Sequence, residues 1–582
     1  MLGRRWRAGA AARDPRLVRA LVQRLDVPDI IAEVLANRGI DLEAAEGFLN
    51  PRLRDLLPDP SRFRDMDRAA ALVAGCIRAG RPVGILGDYD VDGATSTSLL
   101  TRFIRAAGGD TVWHIPDRIT EGYGPNLPAL EKLHAAGAGA IITVDCGTTA
   151  FDVLDAAAAQ DIRLVVLDHH LAEDRLPAVE AVVNPNRLDC ESGHGYLAAV
   201  GMAFMLAVAV NRELRRVGWF GADRREPDLM GLLDLVALGT VCDVVPLVGL
   251  NRALVAQGLK VMGQRRALGM TTLADIARVS GPPGTYAAGF QLGPRINAGG
   301  RVGKADLGTR LLTTDDPDEA RGIAEELDRL NAERQRIEAA VLEEALVRAD
   351  RLDNRAVAVV ADTGWHPGVI GIVAGRLKDR LHRPAFVVSL ENGIGKGSGR
   401  SVSGVDLGAA VTAARQAGLL VNGGGHAMAA GITVAEDRLE DFTAFMEERL
   451  APQVAAARLD ASLSIDGAVA VQGITTDLAA RLGEAGPWGA GNPEPRLAIA
   501  DARLVKADIV GESHVRVILS GKAGGRASAI AFRSTDTPLG AALLGASRNG
   551  MPMHLAGHLR LDHWRGEARA SFIIEDAAQA GG

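Results

Sequence analysis

Val83-Gly84-Ile85-Leu86-Gly87-Asp88-Tyr89-Asp90-Val91-Asp92-Gly93 runs from an uncharged apolar segment straight into three alternating carboxylates. The apolar part reads as a buried strand, and the acids stand where that strand ends. Three further segments close the same way. Ala140–Val144 leads into Asp145, Ile162–Leu167 into Asp168-His169-His170, and Thr240-Val241-Cys242 into Asp243. Ligands of an open α/β sheet collect at the carboxyl ends of its strands, so four such clusters can meet at one point. Carboxylate oxygens with one or two imidazoles suit Mn²⁺ or Mg²⁺ better than a structural zinc. The pattern predicts a two-metal phosphoesterase site on an α/β fold.

Working outward, strand-like runs alternate with helical stretches from about residue 66 to 250, the pattern of βαβ units and a parallel sheet. Val83–Leu86, Thr111–Ile115 and Ala140–Val144 are the strands, with Ser96–Ala106 and Pro128–Ala136 between them; Met202–Val210 and Leu229–Leu238 read as buried helices. Upstream, Pro15–Gln23 and Asp29–Asn37 carry apolar residues at helical spacing, and Asp41 is placed to cap Leu42–Phe48. Thr313-Thr314-Asp315-Asp316-Pro317 is a helix start, and the charged stretch from Asp318 to about Asp350 predicts one long connecting helix. A coiled-coil dimer arm is the alternative there. Ala356–Val360 and Pro384–Ser389 open a second α/β unit. After about 457, short runs (Ala461–Ile465, Arg496–Val505, His514–Leu519, Ala527–Phe532, Met553–Leu561, Ala568–Ile574) separated by Gly and Pro predict a small all-β barrel. The predicted division is a helical extension over 1–65, a catalytic domain over 66–285, a linker with the long helix over 286–350, a substrate-binding domain over 351–456 and a barrel over 457–582.

At 582 residues the chain is too long for one core, and 47% hydrophobic with 24% charged residues is ordinary for a soluble protein. No run of about 18 uncharged apolar residues appears, so no membrane span is expected. The basic N-terminus lacks an apolar stretch behind it, which argues against a secretory signal. Cys76, Cys146, Cys190 and Cys242 are dispersed without a CxxC pair and read as reduced thiols of a cytoplasmic protein. A net charge of −7 neither supports nor excludes nucleic-acid binding, which depends on local patches. Through Arg24 there are seven arginines against one acid, Asp14, either a contact surface or a solvated tail.

If Asp88-x-Asp90-x-Asp92 is extended, all three carboxylates share one face, an arrangement costly without a cation. The plainer reading is an acidic loop capping a helix. Two ions roughly 3.5–4 Å apart need a bridging carboxylate. Asp145 is the candidate bridge, with Asp90 on one metal, Asp92 and Asp243 on the other, and His169 as imidazole ligand. Asp88 and Asp168 would support the ligands from behind, and His170 would face the scissile phosphate. Asp88, Asp145, His170 and Arg295 form the predicted catalytic set. Substrate contacts are expected from Arg295, Asn297 and Arg301, from the phosphate-binding turn Gly397-Ser398-Gly399-Arg400, and from Gly423-Gly424-Gly425-His426, where backbone N–H groups can approach a phosphate. Surface salt bridges and a flexible turn are the competing readings. His366 and Arg376 are expected as secondary contacts to the strand. Cys190-x-x-x-His194 lacks further ligands and reads as structural.

Asp168-His169-His170 with Gly87-Asp88-Tyr89-Asp90-Val91-Asp92-Gly93 resembles the DHH phosphoesterase superfamily. Leu238-Gly239-Thr240-Val241-Cys242-Asp243-Val244-Val245-Pro246-Leu247, Leu292-Gly293-Pro294-Arg295-Ile296-Asn297-Ala298-Gly299-Gly300-Arg301, Gly423–Gly431 and Trp488-Gly489-Ala490-Gly491-Asn492-Pro493-Glu494-Pro495 narrow the resemblance to the RecJ family of bacterial single-stranded-DNA-specific exonucleases, over nearly the whole chain. Cys242 and Gly300 stand where that family usually carries alanine. The resemblance implies a DHH domain with a parallel sheet, a DHHA1 domain and a C-terminal OB-fold that grips a strand by stacking and charge. It implies degradation of single-stranded DNA from 5′ to 3′ into mononucleotides by two-metal water attack, with Mn²⁺ or Mg²⁺, in DNA repair and recombination. Partners would be a RecQ-type helicase and a single-strand-binding protein, and a monomer is expected. Alternatives are a DHH hydrolase of short oligonucleotides or cyclic dinucleotides, which usually lacks the barrel, and an inactive RecJ-like scaffold, which has lost the ligands retained here.

Overall fold

The computed structural model of the chain describes residues 5–10, 14–118, 120–352, 355–459, 462–564 and 567–580. Two compact units form: one from Pro58–Asp243 and Gln257–Asp460, the other from Met1–Leu57, Val244–Ala256 and Ala461–Gly582.

The first unit holds two sheets. Its five parallel strands lie in the order Thr111–His114, Val83–Gly87, Ala140–Val144, Leu164–Leu167, Ala181–Val183. The central three are buried throughout, as their uninterrupted apolar character requires when helices cover both faces. Helices Val91–Ala106, Ala199–Arg216 and Leu233–Cys242 are each buried over most of their length and pack on one another. A π-helical turn, Ala287–Leu292, passes into helix Gly293–Val302, and helix Leu307–Thr313 follows. Residues 287–313 are thus mostly helical before the connecting helix begins.

That connecting helix runs over Pro317–Asp350, 34 residues. Asp316 Oδ1 accepts hydrogen bonds from the backbone N–H groups of Asp318 (2.8 Å) and Glu319 (3.2 Å), with proline at the first helical position. Its buried face carries Ile323, Leu327, Leu330, Val341 and Ala345, interrupted by the polar trio Asn331, Arg334 and Glu338. The second sheet is mixed, in the order Asn422–His426, Ala429–Ala435, Ile394–Arg400, Ala385–Glu391, Ala358–Thr363, with only the last pair parallel. Phe386 and Phe442 meet edge to face in its core, ring centroids 5.4 Å apart.

In the second unit, Leu497–Val510 pairs with both His514–Ser520 and Met553–Trp564, and Arg526–Ala531 and Glu567–Gln579 complete a closed five-strand barrel. The short runs read from the sequence put Leu497, Ile499, Val515, Val517 and Leu519 on the inward face of these strands. One feature escapes a linear reading. Helices Pro15–Leu25 and Asp29–Asn37 are amphipathic and too short to bury their apolar stripe alone. They bury Leu21, Ile31 and Leu35 in one core with Leu497, Val517 and Phe572 of the barrel. A strand absent from the sequence reading, Arg5–Ala8, pairs in parallel with Ser462–Ile465. Asp41 does cap, but a turn: its carboxylate accepts from Glu43 and Ala44, and the helix begins at Ala45.

Candidate active site

Asp88, Asp90 and Asp92 do not share the face of an extended segment. The chain leaves strand Val83–Gly87 and turns at once into helix Val91–Ala106, because Asp90 is that helix's N-cap: its Oδ1 accepts from Asp92 N (2.9 Å) and Gly93 N (3.0 Å). The turn is tight enough that a side chain at Gly93 would sit 2.4 Å from the carbonyl oxygen of Asp88. The capping alternative and the metal reading therefore both describe the same residues. Asp243 likewise follows a helix, Leu233–Cys242, as its C-cap, and not a strand.

These elements bring the predicted ligands together. Ligand atoms of Asp88, Asp90 and Asp145 fall within 4.8 Å of one another, as do those of Asp92, His169 and Asp243, and those of Asp145, His169 and His170. His169 Nε2 lies 3.2 Å from Asp145 Oδ1, 3.7 Å from Asp243 Oδ2 and 4.0 Å from Asp92 Oδ2. Asp92 is fixed by the first turn of helix Ala199–Arg216, where Ala199 N (2.7 Å) and Val200 N (2.9 Å) donate to its carboxylate. Asp145 sits at φ +64, a left-handed conformation uncommon for a residue with a side chain. Its backbone carbonyl accepts from the Tyr123 hydroxyl at 3.1 Å.

Burial and like charge set the electrostatics of this group. Burial, and then the neighbouring carboxylate of Asp90, push Asp92 up to about 7 and hold Asp88 and Asp145 well above the usual carboxylate range. Burial and Asp92 raise Asp243 to about 9. Burial lowers His169 to about 4, keeping its imidazole neutral and able to donate a lone pair. Buried Asp88 Oδ1, Asp145 Oδ1, Asp243 Oδ2 and His169 Nε2 have no hydrogen-bond partner. Buried polar atoms are normally paired, so four such orphans converging on one space fit divalent cations in both charge and donor type.

Asp168 behaves differently. Burial alone would raise it, but a hydrogen bond and charge from His170 outweigh burial and hold it well below the usual range. Its Oδ1 accepts from the N–H groups of His169 (2.7 Å) and His170 (3.2 Å), and Oδ2 from Thr148 N (3.0 Å). His170 is raised in turn, burial notwithstanding, by that carboxylate.

The substrate-side residues divide. Arg301 is pushed down to about 10 by burial and by Arg118, with Arg334 and Arg400 adding to the repulsion; Arg400 is lowered by burial and Arg118. Arg301 thus feels three other arginines, and Asp90 as a counter-charge. Arg400 donates to Ser398 Oγ at 2.9 Å, beside Gly371 in the first turn of helix Ile370–Leu381, where a side chain would meet both at 3.1 Å. Arg295, on helix Gly293–Val302 with Asn297, is tied to Asp328 Oδ1 (2.9 Å) and to Gln291 O (2.7 Å). Gly424, Gly425 and His426 lie in strand Asn422–His426, whose His426 is exposed; Gly425 has φ +152, and a side chain there would strike Ala429 O at 2.3 Å. His366 Nδ1 accepts from Gly368 N at 3.0 Å. Arg376, half-exposed, pairs its guanidinium with buried Glu338 on the connecting helix. Among the described residues, Cys190 and His194 join no metal-ligand group; His194 Nδ1 is 3.0 Å from the Tyr196 hydroxyl.

Several residues around the site went unread in the sequence. Asn184 donates to the carbonyl of His170 (2.8 Å) and to Thr148 Oγ1 (2.8 Å), and Asn186 donates to the carbonyl of His169 (2.6 Å). Both follow strand Ala181–Val183, so the strand-end rule that found the acids would have found them. Tyr123, 57% exposed, stacks edge-on against His170 and Tyr89, and Arg118 lies 5.0 Å over the Tyr89 ring. Tyr123 and Arg118 come from an irregular loop and had no periodic signal.

Comparison with known proteins follows this geometry. Residues 82–240 match the DHH family, N-terminal domain, residues 353–451 the DHHA1 domain and residues 465–576 the RecJ OB domain. The single-stranded-DNA-specific exonuclease RecJ of Dickeya dadantii (strain 3937) is 37% identical over 563 residues, covering 94% of this chain and 96% of the relative. The chain belongs to the RecJ family. RecJ of Escherichia coli (strain K12) is 35% identical over 567 residues, 95% of this chain and 96% of that one. The crystal structure of RecJ in complex with Mn²⁺ from Thermus thermophilus superposes with a TM-score of 0.81 at 30% identity, over 99% of this chain and 80% of that chain. A complex of that RecJ with Mg²⁺ gives a TM-score of 0.76 at 29% identity, over 100% and 80%. The DHH, DHHA1 and OB parts read from the sequence are therefore those of RecJ. Among the described residues no helix is long and apolar enough to cross a membrane.

Proposed function

We propose that this RecJ family member is a metal-dependent exonuclease that degrades single-stranded DNA from its 5′ end to mononucleotides. The observation that carries the reading is the set of buried, unpartnered donor atoms on Asp88, Asp145, Asp243 and His169. Asp90, Asp92, Asp145, His169 and Asp243 would hold two Mn²⁺ or Mg²⁺ ions, with Asp145 between them. Such ions neutralise phosphate charge and acidify bound water, which is what phosphodiester hydrolysis requires.

The protein's own groups supply the rest. Asp168 fixes the His170 ring through Nδ1, leaving its other nitrogen to donate a proton toward a phosphoryl oxygen. Asp88 would support Asp90 and Asp145, whose carboxylates it adjoins. The arginine group of Arg118, Arg301 and Arg400 is a strong attractor for phosphate, and Ser398 with the first turn of helix Ile370–Leu381 suits a terminal phosphate. Arg295 and Asn297 would contact the next phosphates, and Gly424, Gly425 and His426 offer donors from the second sheet. His366 would be a secondary contact. The closed barrel suits continuous grip on a strand, an element that hydrolysis of dinucleotides does not need. On this reading the protein is a cytoplasmic monomer acting beside a RecQ-type helicase and a single-strand-binding protein in repair and recombination.

The test is digestion of 5′-labelled and 3′-labelled single-stranded DNA, duplex DNA and RNA with Mn²⁺, Mg²⁺ or chelator. Immediate release of labelled mononucleotide from the 5′-labelled single strand alone supports the reading. Release first from the 3′-labelled strand, or equal digestion of duplex, contradicts it.

A further inference from the structure

We infer that Tyr286 and Phe290 form a base-stacking platform for the substrate strand beside the metal-ligand cluster. This rests on the single-stranded-DNA reading above and extends it to two residues outside that site. Only 4% of the chain is aromatic. Among the described residues the exposed aromatic side chains are Tyr123, Tyr286, Phe290 and Phe532, and two of these four are neighbours. Tyr286 is 62% exposed and Phe290 71%, with ring centroids 5.2 Å apart and planes inclined by 23°. Two large rings stacked on each other in water forgo the burial that normally places such side chains inside.

Their backbone explains how they are held out. Phe290 lies in the π-helical turn Ala287–Leu292, which Tyr286 immediately precedes; such turns are rare and recur at functional sites. The turn is pressed against the end of helix Leu233–Cys242. Cys242 Sγ–H donates to Ala288 O at 3.5 Å, a side chain at Gly293 would sit 2.4 Å from Cys242 Sγ, and one at Gly289 would touch Val241. Cys242 is the residue before Asp243, so the segment presenting the rings is anchored on the peptide that carries a candidate ligand. One turn further on along the same continuous helix, Arg295 donates to Gln291 O and to Asp328 Oδ1, which hold its guanidinium beside the turn. Rings for bases and a guanidinium for phosphate, on one rigid element docked at the cluster, match the chemistry of a single strand entering it. The exposed ring pair fits stacking, which every base can satisfy.

The test measures binding of labelled oligothymidylate and of an abasic strand of equal length to the full chain, with chelator present to block hydrolysis. Tyr286→Ala/Phe290→Ala should weaken oligothymidylate binding by roughly tenfold or more while abasic binding stays at the wild-type value. Phe290→Leu, which keeps apolar bulk and removes the ring face, should show part of that loss, and Tyr286→Phe none. Unchanged oligothymidylate binding by the double variant, as for a face that meets another protein, overturns the platform. So does equal loss on both strands, or full retention in Phe290→Leu. Wild-type protein that binds neither strand overturns the substrate reading and the platform with it, whereas normal wild-type binding beside an unaffected double variant removes the platform alone.

Discussion

His170 Nδ1 lies 2.7 Å from Asp168 Oδ1, and the same oxygen accepts the backbone N–H of His170, so one carboxylate oxygen holds both the ring and the backbone of this residue. Asp168→Asn should lower kcat on single-stranded DNA about 10²-fold with little change in KM, because the amide no longer fixes the ring's protonation state. His170→Ala should lose at least as much. The double variant should be no slower than His170→Ala, since the two act as a unit. Steady-state kinetics on all three variants check this; independent, additive losses would mean that the pair does not work through one ring.

Asp145 is surrounded by the carboxylates of Asp88, Asp90, Asp92 and Asp243 and sits at φ +64, a conformation that asparagine tolerates. Asp145→Asn puts a neutral amide where burial and like-charged neighbours disfavour an ionised carboxylate. With chelator present it should therefore stabilise the protein by about 1–3 kcal/mol. Adding Mn²⁺ should raise the wild-type Tm and leave the variant's nearly unmoved. Thermal unfolding with and without metal reads both effects.

How far this site was legible follows from where each residue sits in its element. Asp145 and Asp168-His169-His170 follow strands, and the hydrophobic runs before them announced their position. Asp92 and Asp243 needed helix geometry: one lies in a first helical turn and the other caps a last one, and a run of apolar residues cannot distinguish those from a strand. The ion pair of Arg376 was illegible for a different reason. Its partner, Glu338, stands 38 positions away on another helix, and no local pattern reveals such a tertiary ion pair. The shared core of the first two helices and the barrel was hidden likewise, since Leu35 and Phe572 are far apart in sequence and adjacent only in the fold.

Glu338 is 2% exposed and binds both Arg334, itself 7% exposed, and Arg376; Arg334 also donates to Asn331 at 2.6 Å. Glu338→Ala leaves a buried guanidinium without its carboxylate and should cost about 3–5 kcal/mol. Denaturant unfolding measures it. Glu338→Gln, which keeps one acceptor oxygen for a guanidinium, should lose less.

Glu575 in the barrel is lowered to about 2, first by its hydrogen bond with His558 and then, against some burial, by Arg496. A folded-state pKa below the unfolded value stabilises above the unfolded pKa, and that contribution disappears as pH falls through the folded one. Wild type should therefore lose stability relative to Glu575→Gln between about pH 5 and pH 2. The side chain is 32% exposed, so the difference above pH 5 should be modest, about 1 kcal/mol. Melting curves across that range test the sign: a gap that widens as pH falls would contradict it.

The central claim is that one cluster at the ends of the parallel sheet holds two divalent ions for phosphodiester hydrolysis. Calorimetric titration of the full chain with Mn²⁺ tests it most directly. Wild type should bind two ions per chain, and Asp145→Asn, lacking the shared carboxylate, should lose at least one of them. Two ions bound with unchanged affinity by Asp145→Asn, or none bound by wild type, would contradict the account.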